Sequence, residues 1–176
     1  MTREALVERL SALLPDAALP SSDASRGETV IVVERERLLA SLQTLRDHPD
    51  LRFEMLTDVT AVDYLGRETR FEVIYQLYSI SNNQRLRVKV LVPEGDPSVA
   101  SAASLWKSAN WAERETYDMF GIRFTGHPDL RRILMYPEFQ GHPLRKDYPL
   151  NQRQPLVPER DPLTNPWYPR SRAHES

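Results

Sequence analysis

Cysteine is absent from all 176 residues. That single absence excludes disulfides, thiolate zinc sites, cysteine-ligated iron–sulfur clusters and a cysteine nucleophile, and it fits a reducing compartment. Glycine is scarce as well, at 6 residues, and none sits in a phosphate-cradling loop or a dinucleotide fingerprint. Long apolar runs are missing. Val30-Ile31-Val32-Val33 is among the longest, far short of the roughly 20 residues that a membrane helix needs. The start, Met1-Thr2-Arg3-Glu4, carries no apolar block behind basic residues, so no signal peptide is expected and any membrane association is expected to come through other proteins. A formal net charge of −2 gives no bulk drive towards nucleic acid or an anionic membrane.

What is present is a patterned first part and a proline-rich second part. Leu6, Leu10, Leu13 and Leu14 share a face of a short helix over 3–14, which Thr2 can cap and Pro15 stops. Residues 20–27 are loop by composition. Thr29–Val33 reads as a strand, and a helix over about 34–47 gathers Leu38, Leu39, Leu42 and Leu45 before His48-Pro49 ends it. Three strands follow at 53–64, 70–80 and 85–92; Phe71, Val73, Tyr75 and Leu77 alternate in one, Leu86, Val88, Val90 and Val92 in the next. Ser98 is expected to cap a helix through Trp106. Asn110 is expected to cap another, with Glu113 completing a capping box and Gly121 ending it. This order predicts an α+β domain over 1–126, a mostly antiparallel sheet with helices packed on one face.

From 127 to 176 the composition changes: nine of the 14 prolines lie there. Such density excludes long helices and central strands, so an extended arm with few hydrogen bonds of its own is expected. It keeps Leu130, Ile133, Leu134, Met135, Tyr136, Phe139, Leu144, Tyr148 and Leu150, apolar anchors that need a surface to cover. The arm is therefore expected to lie on partner proteins.

The densest cluster of chemistry-bearing residues is Trp111 to Gly121. Arg114 and Asp118 stand four apart and are expected to bridge. Trp111, Met119 and Phe120 are expected to be buried. Glu113 and Glu115 could serve as an acid–base pair, joined by His127 in a free-standing enzyme, but residues two apart on a helix diverge. Packing of charge at an interface is the better reading. His127 and His142, each inside Gly-His-Pro, read as turn histidines; Asp118, Asp129, Glu138 and Asp147 lie nearby in sequence without metal-ligand spacing. Arg131-Arg132 and Arg145-Lys146 are suited to a phosphate or to a partner's carboxylates.

The run Glu113-Arg114-Glu115-Thr116-Tyr117-Asp118-Met119-Phe120-Gly121, continuing through His127, Arg131, Arg132, Ile133 and Leu134, resembles the signature of the C subunit (the 30 kDa subunit) of respiratory complex I, NADH:quinone oxidoreductase. Gly141-His142-Pro143-Leu144-Arg145-Lys146-Asp147-Tyr148-Pro149 resembles the family's second stretch. Weaker likeness reaches back through Leu56–Tyr64 and Arg70–Ser79. The resemblance implies a non-catalytic docking subunit on the cytoplasmic side of the inner membrane, peripheral, with no catalytic, cofactor or metal residue of its own. FMN and iron–sulfur clusters are then expected in neighbouring subunits. The D subunit and the iron–sulfur subunits B and I are the expected partners, and the whole complex couples electron transfer from NADH to quinone with proton translocation. The same family also implies an alternative, the equivalent subunit of a membrane-bound hydrogenase or of a ferredoxin- or F420-linked quinone reductase. Residues 151–176 follow no family pattern.

Overall fold

The computed structural model describes residues 3–15, 17, 28–151 and 153–156; the expected cap Thr2, the loop over 20–27 and the tail from 157 lie outside them. The elements run α1 (Arg3–Leu13), β1 (Thr29–Val32), a short 3-10 turn (Arg35–Arg37), α2 (Leu38–Asp47), β2 (Met55–Asp63), β3 (Phe71–Ser79), β4 (Gln84–Val92), β5 (Ser98–Ala100), α3 (Ala109–Phe120) and β6 (Arg123–Thr125). β2, β3 and β4 form an antiparallel meander, and β1 adds in parallel beside β4, giving the order β1-β4-β3-β2. The sheet is thus mixed and mostly antiparallel.

Alternation, broken in burial only at Ile74, makes one face of β3 and β4 apolar: Phe71, Val73, Tyr75, Leu77, Leu86, Val88, Val90 and Val92 are buried. Leu6 and Leu10 of α1, Leu38, Leu42 and Leu45 of α2, and Met119 and Phe120 of α3 close over that face in one continuous core. Each such side chain contributes about 1.5–3 kcal/mol on burial. Leu39, expected with the other leucines, is exposed, because it falls just off the stripe that Leu38, Leu42 and Leu45 define. The opposite face carries charged pairs, Lys89 with Glu72 and Arg87 with Glu28, beside Ile74 and the exposed Leu91.

Two expectations fail around β5. Ser98–Ala100 is not a helix start but a strand paired in parallel with β6, and the Ser98 hydroxyl bonds Asp96 instead of capping. Nothing within 98–106 signals that pairing, because its partner lies about 25 residues further on. Asn110 lies inside the first turn of α3, and Glu113 reaches Ser101 and Ala102, so no capping box forms. β2 also hides a feature from the sequence. A bulge between Leu56 and Asp58 resets the alternation, so that Leu56 and Val59, three apart, are both buried.

β2 is an edge strand, and edges invite stray pairing. Here the carbonyls of Glu54, Leu56 and Val59 accept hydrogen bonds from Trp106 Nε1 (3.1 Å), Ser108 Oγ (2.9 Å) and Thr116 Oγ1 (3.0 Å), the last proton being shared with the carbonyl of Ala112 at 2.9 Å. Replacing Thr116 by valine keeps the shape and removes the donor. The expected outcome is a loss of about 1–3 kcal/mol in urea unfolding, with an unchanged denaturant slope.

Candidate functional site at the helix–segment junction

Residues 127–151 turn back along α3 and the end of β2, and the family-like residues sit where the two meet. α3 carries three buried ionisable residues: Arg114 and Asp118 on the stripe that meets the segment, and Glu113 turned away towards Ser101 and Ala102. A helix so charged must be wrapped from several directions. Asp118 faces the segment. Its Oδ2 accepts from the backbone N–H groups of Ile133 (3.0 Å), Leu134 (2.8 Å) and Met135 (2.8 Å), and its Oδ1 pairs with Arg132 at 2.8 Å. Burial alone would push this carboxyl up, but the three N–H donors and Arg132 outweigh it and hold it below the usual carboxylate range.

Arg114 does not bridge to Asp118. Its guanidinium donates to the carbonyls of Arg131 (3.2 Å) and Arg132 (3.3 Å) and lies 5.1 Å from the centre of the Trp111 ring. Trp111 is not buried as expected; it is 63 % exposed, because the segment passes over Arg114 and leaves the indole outside. Glu115 points to solvent. Arg131 pairs locally with Asp129, and Arg132 spans Asp118 and the carbonyl of Gly141.

Gly121 ends α3 at φ 78°, where its N–H bonds the carbonyl of Tyr117. A β-carbon there would meet the His142 ring at 2.7 Å, so the glycine serves the turn and the contact at once. His142 Nδ1 donates to the carbonyl of Asp118 at 2.9 Å. Burial, with Arg132 and Arg145 near, holds His142 below the ordinary histidine range. His127 is tied to the carbonyl of Asn110 and to the N–H of Asp129. Both histidines hold turns, and among the described residues no group of three or more His, Asp or Glu is placed to bind a metal.

The segment has local structure of its own here. Tyr136, Phe139 and Tyr148 contact edge to face and then stacked, Arg132 sits over Phe139, and the Gln154 amide pairs with both backbone groups of Gln140. Gly141 lets the Tyr148 ring approach.

A second cluster was only half visible in the sequence: Arg145, Lys146 and Asp147 were among the candidate residues, whereas Asp63, Arg70 and Glu94 were not. Arg70, 1 % exposed, holds Asp63 through two bonds of 2.8 Å, and also reaches Glu94 and Asp147. Arg145 joins Glu94 and Asp147 as well, and the backbone N–H of Lys146 bonds Asp63 at 2.7 Å. The guanidinium holds Asp63 and Asp147 below the usual carboxylate range, and the acids raise Arg70 in return. Asp63 and Arg70 were marked in the sequence only by lying in family-like stretches.

Glu113 differs from the other acids. It is fully buried and, among the described residues, forms no ion pair; Ser101 Oγ and the Ala102 N–H each bond it at 2.6 Å. Desolvation pushes it up to about 7, with those two bonds opposing. Glu113, Glu115 and His127 share no hydrogen bond and face different surroundings: a sealed pocket, solvent and a turn. They do not form the acid–base constellation that a free-standing enzyme would require.

A family profile described as "Respiratory-chain NADH dehydrogenase, 30 Kd subunit" matches residues 31–154. The chain is 53 % identical over 149 residues to the C subunit of NADH-quinone oxidoreductase from Roseiflexus sp. (strain RS-1), covering 85 % of each chain. It is 56 % identical over 137 residues to the same subunit from Citrifermentans bemidjiense, covering 78 % of this chain and 81 % of that one. Among solved structures, a trypsin-resistant fragment of Nqo5 is 36 % identical with a TM-score of 0.63, covering 74 % of this chain and 100 % of that one. A chain of a membrane-bound sulfane sulfur reductase, an archaeal respiratory membrane complex, shares the fold at TM-score 0.70 and 23 % identity, covering 84 % of this chain and 86 % of that one.

Two outcomes are expected from these charges. Arg70→Met strands the buried Asp63 and should cost about 3–5 kcal/mol. Asp63 and Asp147 have depressed folded values, so they stabilise above the unfolded carboxylate range near ~4 and lose that contribution as pH falls through the folded values. The variant should therefore lose less stability than the wild type on acidification, read by urea titration between about pH 2 and pH 5. Glu113 behaves in the opposite sense. Its contribution is greatest below the unfolded value of about 4.3 and is lost as pH rises through about 7. Glu113→Gln, whose amide can satisfy both Ser101 and Ala102, should flatten the stability profile between about pH 4 and pH 8.

Proposed function

The chain belongs to the 30 kDa subunit family of respiratory-chain NADH dehydrogenase, and on that footing we propose that its own share in the complex is docking rather than chemistry. The complex passes electrons from NADH to quinone. This chain would hold neighbouring subunits at productive spacing while they carry the FMN and the iron–sulfur clusters, and would itself bind no cofactor. The residues available for chemistry favour this reading: Asp118, Arg132, Arg70, Asp63, Arg145 and Asp147 are all engaged with one another or with backbone.

The observation that carries the docking role is what those bonds leave outside. Leu134, Tyr136, Leu144, Leu150 and Leu156 are exposed along one stretch of backbone that is fastened to the domain at Asp118 and Arg70. Apolar side chains presented on a fixed track suit a protein partner. The D subunit of the complex is proposed for the track, with the iron–sulfur subunits B and I beside it. No helix among the described residues is long and apolar enough to cross a membrane. A place on the cytoplasmic face of the inner membrane, held through the complex, is proposed with the docking role.

Leu150 and Leu156 are 103 % and 99 % exposed. Leu150→Asp with Leu156→Asp should leave the isolated chain's stability within about 0.5 kcal/mol. The same pair should lower the abundance of assembled complex on native gels severalfold, while activity per assembled complex stays normal. Normal abundance would overturn the track as a docking surface. Normal abundance with lost activity per complex would reopen a catalytic role.

A further inference from the structure

One surface beside the track is built differently, and it specifies its partner more closely. Trp111 and Glu115 stand four residues apart on α3, hence on one stripe. Leu134 is exposed on the strap that Asp118 holds against the same helix. Trp111 is unusual for an exposed side chain in being braced. The Arg114 guanidinium lies over its ring and is itself fixed by the carbonyls of Arg131 and Arg132. A braced indole loses little further freedom on binding, which is what makes aromatic residues effective anchors.

The charges around it are unequal. Arg131 is answered by Asp129, and Arg114 by two carbonyls. Glu115 is exposed, and among the described residues its carboxylate makes neither hydrogen bond nor ion pair. The face therefore offers an aromatic anchor, an exposed leucine and one unanswered carboxylate. A second copy of this chain fits poorly, since a two-fold contact centred here would set two Glu115 carboxylates against each other. A partner with the complementary charge fits.

Resting on the docking role proposed above, we propose that this face of α3 seats a segment of a neighbouring subunit that presents an arginine or lysine to Glu115 and an apolar pocket to Trp111. The partner's apolar side chains close over the indole and Leu134, and the cation is desolvated as they close. The interface gains orientation from the ion pair and most of its affinity from the tryptophan.

The test uses the assembled complex, purified through a tag on another subunit, with retention of this chain measured after washes of rising salt. Trp111→Ala should weaken retention at least ~10-fold. Glu115→Gln should weaken it severalfold and remove most of its salt dependence, and Glu115→Lys should weaken it further. Melting of the isolated Glu115 variants should match the wild type, because that side chain makes no internal bond. A photoreactive phenylalanine analogue in place of Trp111 should cross-link to another subunit, close to a basic residue. Wild-type retention in Trp111→Ala and Glu115→Lys, or cross-links confined to this chain or to a second copy of it, would overturn the seat while leaving the docking role standing. Failure of the wild-type chain itself to co-purify would overturn both.

Discussion

An arginine that leaves water keeps its charge, so carboxylates must be brought to it. Arg70 imposes that constraint on the whole molecule. Its three acids come from the end of β2, from the turn after β4 and from the proline-rich segment. The β2–β3 hairpin supplies Asp63 by proximity, and the other two must arrive from 24 and 77 residues away. Once they do, residues 145–147 can occupy one place only, and the backbone between them and α3 has little freedom left.

The junction at Asp118 solves the converse problem. There a buried anion gathers donors, three successive N–H groups and one guanidinium, from a strap that proline keeps from forming a helix or strand. The backbone groups that proline-rich chain leaves unpaired are the groups the carboxylate needs. His142 lies between the two clusters, packed on Gly121 and bonded to the Asp118 carbonyl. Burial first, and then the two arginines nearby, disfavour a positive charge on the imidazole in that place. Charge fastens the segment at these two points, while Leu130 and Met135 pack on the core and Tyr136, Phe139 and Tyr148 pack on one another.

Much of the domain was legible because its signals are local. Alternation in β3 and β4, the leucine stripe of α2 and the glycine at the end of α3 each appear within a dozen or so residues. The failures share a cause. Ser98–Ala100 became a strand because of β6, the bulge in β2 repaired an alternation that the sequence does not keep, and Glu113 found Ser101 instead of its own helix terminus. Each depends on a partner outside its own element. The same holds for the site. The family resemblance marked the right residues without their pairing: Arg114 and Asp118, four apart, turned to different partners, and Arg70 emerged as a centre only when its acids met it.

The side-chain donors along β2 bear on a stage before the complex exists. A subunit made separately from its partners must wait, at some concentration, among chains that expose strands of their own. The Trp106, Ser108 and Thr116 donors occupy carbonyls along the long β2 edge of this sheet, so a passing strand finds fewer acceptors there to pair with. Association along that edge is discouraged, and recruitment is left to side chains, which can discriminate between neighbours where a backbone ladder cannot. An unassembled pool of this chain is thereby biased towards remaining dispersed until its own neighbours arrive.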